Sequence, residues 1–331
     1  MKNNQLMIYG AYGYAGELMV REAVAQRLRP IIAGRDAEKL KPIATELSLE
    51  CRAFGVRNTG SNLQDISVLL NCAGPFSATA EPLARACLAQ QIHYLDITGE
   101  IDIFRKCHAL DEEARQQNVL ILPGAGTDIV PTDCLAAMLK EKLPVATRID
   151  LALSFGTNPS IGTVNTMIES FGKGGLIREG GMLKVVSNAF QMRKIPFQNK
   201  PQWAMTIPWG DVFTSGISTG VPDGAVYMAM PRMSIYMIRL TNPVKGILNT
   251  QFGQKITKRL AGWLMKKGPD AKALEAGRGQ FWGEAEAPDG EKLEMTMSTP
   301  NVYALTATVG IRIAQYCLDY TGPGGYYTPS M

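Results

Sequence analysis

Three glycines at even spacing, Gly10, Gly13 and Gly16, separate a short apolar run, Leu6-Met7-Ile8-Tyr9, from a stretch that places Leu18, Val20, Ala23, Val24 and Leu28 on one side of a helix. Few folds admit a strand that passes through such a turn into a helix. The first glycine permits a tight turn, the second a close approach of backbone to a pyrophosphate, and the third close packing of helix on strand. The helix start adds free N–H groups and the positive end of its dipole. The spacing is one residue longer than G-x-G-x-x-G, and many turns hold several glycines, so this reading depends on the unit that follows.

A second strand, Pro30–Ala33, ends in Gly34-Arg35, at the position where a dinucleotide fold reads the adenosine ribose. An NAD site usually has Asp or Glu there. Here Gly34 leaves room, and Arg35 is suited to pair with a 2′-phosphate and stack on adenine, which favours NADP(H). The alternative is a solvated surface arginine. Asp36 directly precedes Ala37-Glu38-Lys39-Leu40 and reads as a helix N-cap. Further strands are expected at Val68–Asn71, His93–Ile97 and Val119–Leu122, with helices near Glu81–Gln90 and Ile103–Gln117. This alternation predicts the α/β class, with a Rossmann-type doubly wound parallel sheet. Ligands of such sheets lie beyond the carboxyl ends of the strands. The candidate site segments are therefore Asn71-Cys72-Ala73-Gly74-Pro75-Phe76, Thr98-Gly99-Glu100 and Gly124-Ala125-Gly126-Thr127-Asp128.

These residues resemble the saccharopine dehydrogenase-like NADP-binding oxidoreductases, a family that includes trans-acting enoyl reductases. The resemblance rests on Gly10-Ala11-Tyr12-Gly13-Tyr14-Ala15-Gly16, Ala33-Gly34-Arg35, Asn71 to Phe76 and His93 to Glu100. It extends through Pro131-Thr132-Asp133-Cys134, Pro208 to Val212 and Ser218-Thr219-Gly220. It implies this fold over the full length, NADP(H) as cofactor, and a terminal helix, Val302–Tyr320, that packs back on the nucleotide domain. Tyr12 and Ala15 stand where the family's usual first turn has threonines. Relatives are expected to continue for some residues beyond Met331.

A nucleotide domain at 1–127, completed by 302–331, is expected to precede a mixed α/β substrate or oligomerisation domain at 128–301. That second part shows a helix at Thr132–Leu143, a strand at Ile149–Phe155 and a helix near Thr163–Phe171. Strands follow at Ala204–Ile207 and Ala225–Met230. A pair at Phe281–Ala287 and Lys292–Thr299 turns through Pro288-Asp289-Gly290-Glu291. A run at 244–268 carries only basic charges, Lys245, Lys255, Lys258, Arg259, Lys266 and Lys267, on a near-helical apolar spacing. It reads first as a domain helix with a solvated face, and second as a peripheral membrane or acyl-carrier contact. Met228, Met230, Met233 and Met237 are candidates for an adaptable apolar lining, or for core filling.

The charge balance, 34 Lys and Arg against 30 Asp and Glu, gives no footprint for nucleic acid. Six dispersed cysteines without a C-x-x-C pair, and only His93 and His108 beside them, offer no metal site and fit reduced thiols in a cytoplasmic protein. No signal segment or membrane span is expected. Gly216-Ile217-Ser218-Thr219-Gly220 matches G-x-S-x-G, but a hydrolase of that type needs a later histidine, and both histidines come earlier. No Tyr is followed four residues later by Lys, so the short-chain dehydrogenase proton relay is missing.

Nicotinamide chemistry remains, which asks the protein to align two reactants and to supply a proton. Asp96, Glu100 and Asp128 are the candidate catalytic acids, each with a helix-cap or loop-cap alternative. Gly10, Ala11, Tyr12, Gly13, Tyr14, Ala15, Gly34, Arg35, Asn71, Ala73, Gly74, Pro75 and Phe76 are the candidate cofactor-binding residues. Tyr12 is read first as covering the cofactor and second as a proton donor; His93 and Cys72 are read as packing residues. The expected function is NADP(H)-dependent hydride transfer to or from a C=N or C=C bond of a small acyl or amino-acid derived substrate, with a homodimer as the candidate assembly. The alternative is a non-catalytic NADP(H) sensor or membrane-associated scaffold.

Overall fold

The computed structural model describes residues 4–155, 174–240, 242–244 and 277–331. The chain divides into two compact units, residues 1–130 with 303–329 and 331, and residues 131–302 with 330.

In the first unit β1 (Leu6–Tyr9), β2 (Ile31–Gly34), β3 (Cys51–Ala53), β4 (Val68–Asn71), β5 (His93–Asp96) and β6 (Leu120–Leu122) are joined by a last short strand, Gly325–Tyr326. All seven run parallel, in the order Gly325–Tyr326, β6, β5, β4, β1, β2, β3. The order reverses at β1, which pairs with β2 on one side and β4 on the other, so a crevice is expected at their carboxyl ends. β1, β2 and β4 are buried along their whole length, the pattern of strands covered on both faces. α1 (Tyr14–Ala25), α2 (Ala37–Leu47), α3 (Phe76–Ala89), α4 (Ile101–His108) and α5 (Asp111–Gln117) form the crossovers.

Two helices differ from the sequence expectation. The one expected from Ile103 to Gln117 is broken at Ala109-Leu110. Arg105, Lys106 and His108 end α4, and Asp111, Glu112 and Glu113 open α5, each set suited to the dipole end it occupies. α3 begins at Phe76 and carries Pro82 inside it. The C-terminal helix, Val302–Leu318, puts Ala307, Ile311, Ala314 and Cys317 into the same core as Met19, Val20, Leu70 and Leu95. A Cβ on Gly310 would stand 2.5 Å from Met19 Cε and 3.0 Å from Ala125 O, so the glycine lets the helix sit close and a side chain there would push the Met19 methyl aside.

In the second unit α6 (Val130–Lys142) precedes a mixed sheet of β7 (Arg148–Phe155), β8 (Gly175–Glu179), β9 (Met182–Val186), β10 (Met192–Pro196), β11 (Pro201–Ile207), β12 (Asp223–Ala229), β13 (Gly279–Glu286) and β14 (Lys292–Thr299). Its path is β10-β11-β12-β7-β13-β14, with β7 and β12 parallel and the hairpin β8–β9 joined to β12 at Gly224 and Arg178. On one face Phe281, Gly283 and Ala285 are buried, and a Cβ on Gly283 would meet Leu139 of α6 at 2.7 Å. On the other, the Arg193 guanidinium lies 4.7 Å from the Trp282 ring centre and pairs with Glu284 at 3.1 Å. α7 (Asp211–Thr219) and α8 (Arg232–Leu240), with the strands of the β8–β9 hairpin and β10, were not among the elements read from the sequence. The helix expected near Thr163–Phe171 and, but for the backbone of Val244, the basic run at 244–268 lie outside the described residues. Met228 is buried in β12 while Met233 and Met237 point outward from α8, so the four methionines do not share one lining.

Candidate nucleotide site and its surroundings

The turn after β1 is compact because its glycines replace side chains with backbone. Gly10 has φ of +85° and donates to Ala33 O at 2.7 Å; Gly13 donates to Gly10 O at 3.0 Å. A Cβ on Gly16 would lie 2.2 Å from Gly10 O, and one on Gly10 would lie 2.7 Å from the amide of Ala73. The loops after β1 and β4 therefore touch backbone to backbone, at the point where the strand order reverses. Gly13, the N-cap of α1, offers no side-chain cap, which leaves the helix's first N–H groups for a ligand. The close packing that Gly10 and Gly16 allow, with uncapped N–H groups at the start of α1, suits a dinucleotide pyrophosphate. Tyr14 turns away and meets Tyr303 edge-on, ring centres 5.2 Å apart. Ala73, Gly74, Pro75 and Phe76 are all at least partly exposed at the mouth.

The end of β2 carries no carboxylate. A Cβ on Gly34 would stand 2.6 Å from Cε1 of Tyr12, so the tyrosine ring lies directly against the glycine. Lys39 Nζ sits 5.7 Å from the centre of that ring. Arg35 is exposed beside it. Asp36 caps α2 through Lys39 N at 3.3 Å. In the sequence Lys39 reads only as part of the helix that follows Asp36, so its place over the Tyr12 ring comes from the fold.

At the ends of β4, β5 and β6 a buried polar network fixes three loops. Asp96 Oδ1 accepts from Thr98 N at 3.0 Å and Gly124 N at 3.1 Å, and Asp96 Oδ2 accepts from the Tyr94 hydroxyl at 2.9 Å. Asn71 Nδ2 donates to Tyr94 Oη and to Thr79 Oγ1, each at 3.2 Å, while Asn71 Oδ1 receives Ala73 N at 3.0 Å. Burial pushes the Asp96 carboxyl up to about 6, against the pull of its three donors. Asp96 is thus a sealed hub, and Asn71 shapes the mouth loop from below it. Tyr94 and Thr79 were missed in the sequence, although Tyr94 shares a strand face with Asp96 by the two-residue period.

Asp128 differs from Asp96. It keeps part of its surface open, and its carboxyl comes so near the loop after β5 that a Cβ on Gly99 would be 3.2 Å from its Oδ2. Burial pushes it up to about 7. Glu100, next to Gly99, is partly exposed and stands at the N-cap position of α4, with no side-chain bond to the helix end. Asp128 and Glu100 therefore border the same loop pair. His93 Nδ1 accepts Leu120 N at 2.9 Å, and Cys72 packs on Met19 with sulfurs 3.2 Å apart; both serve packing. Among the described residues no cluster of three His, Cys, Asp or Glu side chains is placed to hold a metal ion.

The G-x-S-x-G segment has a structural explanation in the second unit. The Arg178 guanidinium would meet a Cβ on Gly216 at 2.9 Å, and its Nε donates to Val221 O at 3.1 Å. The Ser218 hydroxyl donates to Asp133 Oδ1 at 2.8 Å.

Residues 6–122 match the family model described as the saccharopine dehydrogenase NADP binding domain. The nucleotide-binding part of the chain is thus similar to that family's NADP-binding domain. A saccharopine dehydrogenase-like oxidoreductase of Rattus norvegicus is 26% identical over 231 residues, which cover 61% of this chain and 53% of that protein. A protein of Mycobacterium tuberculosis, provisionally named a trans-acting enoyl reductase, is 28% identical over 206 residues, 56% of this chain and 44% of its own. The chain spans about half the length of the curated relatives it matches. Apo saccharopine dehydrogenase (L-Glu forming) of Saccharomyces cerevisiae superposes with a TM-score of 0.66 at 10% identity, over 98% of this chain and 94% of that one, a likeness of fold. The cofactor of the matched domain is NADP(H), in keeping with a β2 end that carries glycine and arginine in place of a carboxylate.

Proposed function

We propose that this saccharopine dehydrogenase-like protein is a cytoplasmic NADP(H)-dependent oxidoreductase that transfers hydride to or from a C=N or C=C bond of a small acyl or amino-acid derived molecule. The observation that carries the reading is the end of β2, where Gly34 packs on Tyr12 and Arg35 stands exposed in place of a carboxylate, which supports a preference for a 2′-phosphate. The names of the family's curated members support the reaction class, and six free cysteines support a reducing compartment.

Gly10 to Gly16 hold the pyrophosphate on backbone N–H groups, Tyr12 floors the adenosine end, and Arg35 meets the 2′-phosphate. Asn71 and the loop Ala73 to Phe76 border the cofactor on its other side. When bound, the nicotinamide supplies the hydride. Asp128 is the proton donor or acceptor: a carboxyl titrating near 7 gives and takes a proton at neutral pH. Glu100 orients the polar end of the substrate, and Asp96 positions both loops from below.

Thermal unfolding with saturating NADPH and NADH, for the wild type and Arg35→Ala, tests the cofactor half. A ligand at about a hundred times its Kd adds roughly 2.7 kcal/mol, a shift of several degrees. NADPH is expected to shift the wild type more than NADH, and Arg35→Ala to lose that preference. Equal shifts, or none, would sink the reading. NADPH oxidation with enoyl thioesters, or with a keto acid plus an amine, then separates C=C from C=N chemistry; inactivity with both classes favours a nucleotide-binding protein without turnover.

A further inference from the structure

α8 is apolar on the side that faces water. Ile235 is fully buried beneath it, while Met233, Tyr236, Met237 and Leu240 are 72%, 38%, 59% and 72% exposed. At the helical period these four share one arc, about a hundred degrees wide, opposite Ile235. The rim of the arc is cationic. The Arg232 guanidinium stacks over Trp203 at 4.9 Å and over Tyr236 at 5.6 Å, and its Nη2 donates to the Tyr236 hydroxyl at 3.0 Å. Arg239 Nε donates to Ala189 O at 2.9 Å, beside Phe190, which is itself 45% exposed.

The sequence around this helix carries charge of one sign. From Gly224 to Pro269 there are eight Lys and Arg and no Asp or Glu, although the whole chain has 34 against 30. The rest of the chain therefore holds 26 basic residues against 30 acidic ones, and the positive excess belongs wholly to this stretch. An apolar arc edged by Arg232 and Arg239, in a stretch of sequence without acidic residues, selects its occupant. A second copy would bring like charges together. A bilayer with anionic headgroups takes the methionines and leucine into its acyl boundary, the tyrosine at the interface, and the cations at the phosphates.

We propose that the outward face of α8 is a docking surface for an anionic lipid bilayer, with Met233, Met237 and Leu240 as the inserting residues. The contact is peripheral; among the described residues no helix is long and apolar enough to cross a membrane.

Vesicle flotation tests this with phosphatidylcholine alone and with phosphatidylcholine containing about a third phosphatidylglycerol. The wild-type chain is expected to float with the anionic vesicles, to remain behind with the neutral ones, and to dissociate as salt is raised. The variant Met233→Ser/Met237→Ser/Leu240→Ser is expected to lose at least about tenfold in partitioning with its melting temperature preserved, because all three side chains are exposed. Met237→Trp is expected to raise partitioning several-fold, and decides the matter should the triple variant fold poorly. The proposal fails if the wild type ignores anionic vesicles, or if neither variant changes partitioning. It also fails if sedimentation shows a wild-type dimer that the triple variant converts to monomer, since a second copy then covers the face.

Discussion

Tyr12 and Gly34 are in contact, with so little space between them that a single methyl on Gly34 would stand 2.6 Å from the tyrosine Cε1. The backbone of Gly34 is ordinary strand, so a side chain there is resisted by the ring and not by conformation. Gly34→Ala is therefore expected to displace Tyr12 and weaken NADPH and NADH alike, by several-fold. Gly34→Asp adds a carboxylate facing the 2′-phosphate and should weaken NADPH at least about tenfold more than NADH. Fluorescence titration of both nucleotides measures this. Unchanged dissociation constants in Gly34→Ala would show that the ring has no part in binding.

The raised carboxyl of Asp128 sets a pH dependence whose sign follows from linkage. Its folded value, about 7, lies above its ordinary value of 3.8, so the folded state holds the proton more tightly. Stability from this group is fully present below about pH 4 and is lost as pH rises through 7. Asp128→Asn removes the loss and should melt above the wild type at pH 8, by on the order of 1–2 kcal/mol because part of the side chain reaches water. Turnover of the same variant should fall at least about a hundredfold if Asp128 handles the proton. Thermal melts of both proteins from pH 4 to 8, with activity at each pH, check the pair of outcomes; parallel melting curves would remove the basis for the assignment.

Asp96 makes the opposite kind of prediction. Asp96→Ala strands the Tyr94 hydroxyl and the amides of Thr98 and Gly124, and should cost about 3–5 kcal/mol of stability. Asp96→Asn keeps an acceptor for the two amides and should cost less, about 1–2 kcal/mol, with NADPH affinity largely retained. Urea unfolding and nucleotide titration distinguish this positioning role from a direct one. An Asn variant that is stable, binds NADPH normally and yet lacks all turnover would place Asp96 in the chemistry.

The cofactor half of the site was legible because its constraint is local. Gly10, Gly13 and Gly16 are read from spacing, and Gly34-Arg35 from its place after the second strand. The parallel, doubly wound sheet follows from the alternation of strand and helix, whereas its strand order does not. What was not legible depends on contacts between distant residues. Nothing near Asp128 in sequence announces that it approaches Gly99, and nothing near Gly216 announces that the Arg178 guanidinium needs its space. The break between α4 and α5 was written in the charges, a basic last turn followed by an acidic first turn, but apolar periodicity runs through it and hid it. The hairpin β8–β9 was missed because Met182 and Val185 are exposed, so their apolar pattern marks no core.

In the second unit Arg193 is the keystone of one sheet face. Its guanidinium stacks 4.7 Å from the centre of Trp282, lies 3.6 Å from Asp150 Oδ2, and makes paired 3.1 Å bonds to both oxygens of Glu284. The side chains of the two acids are only 5% and 7% exposed, so their charges depend on Arg148, Arg193 and Lys292 for compensation. Arg193→Ala removes the stacking and leaves Glu284 with Lys292 alone; it should cost about 2–4 kcal/mol. Arg193→Lys keeps the charge but not the planar fork and should recover less than half of the loss. Burial raises the carboxyl of Asp150, whereas the bond from Arg193 helps hold Glu284 below its ordinary value. The Glu284 contribution is thus present above its ordinary value of 4.5 and fades as pH falls below it. The gap between Arg193→Ala and wild type in urea unfolding should therefore narrow from pH 7 to pH 4. A gap that is constant over that range would assign the role of Arg193 to stacking on Trp282 instead of to the ion pair.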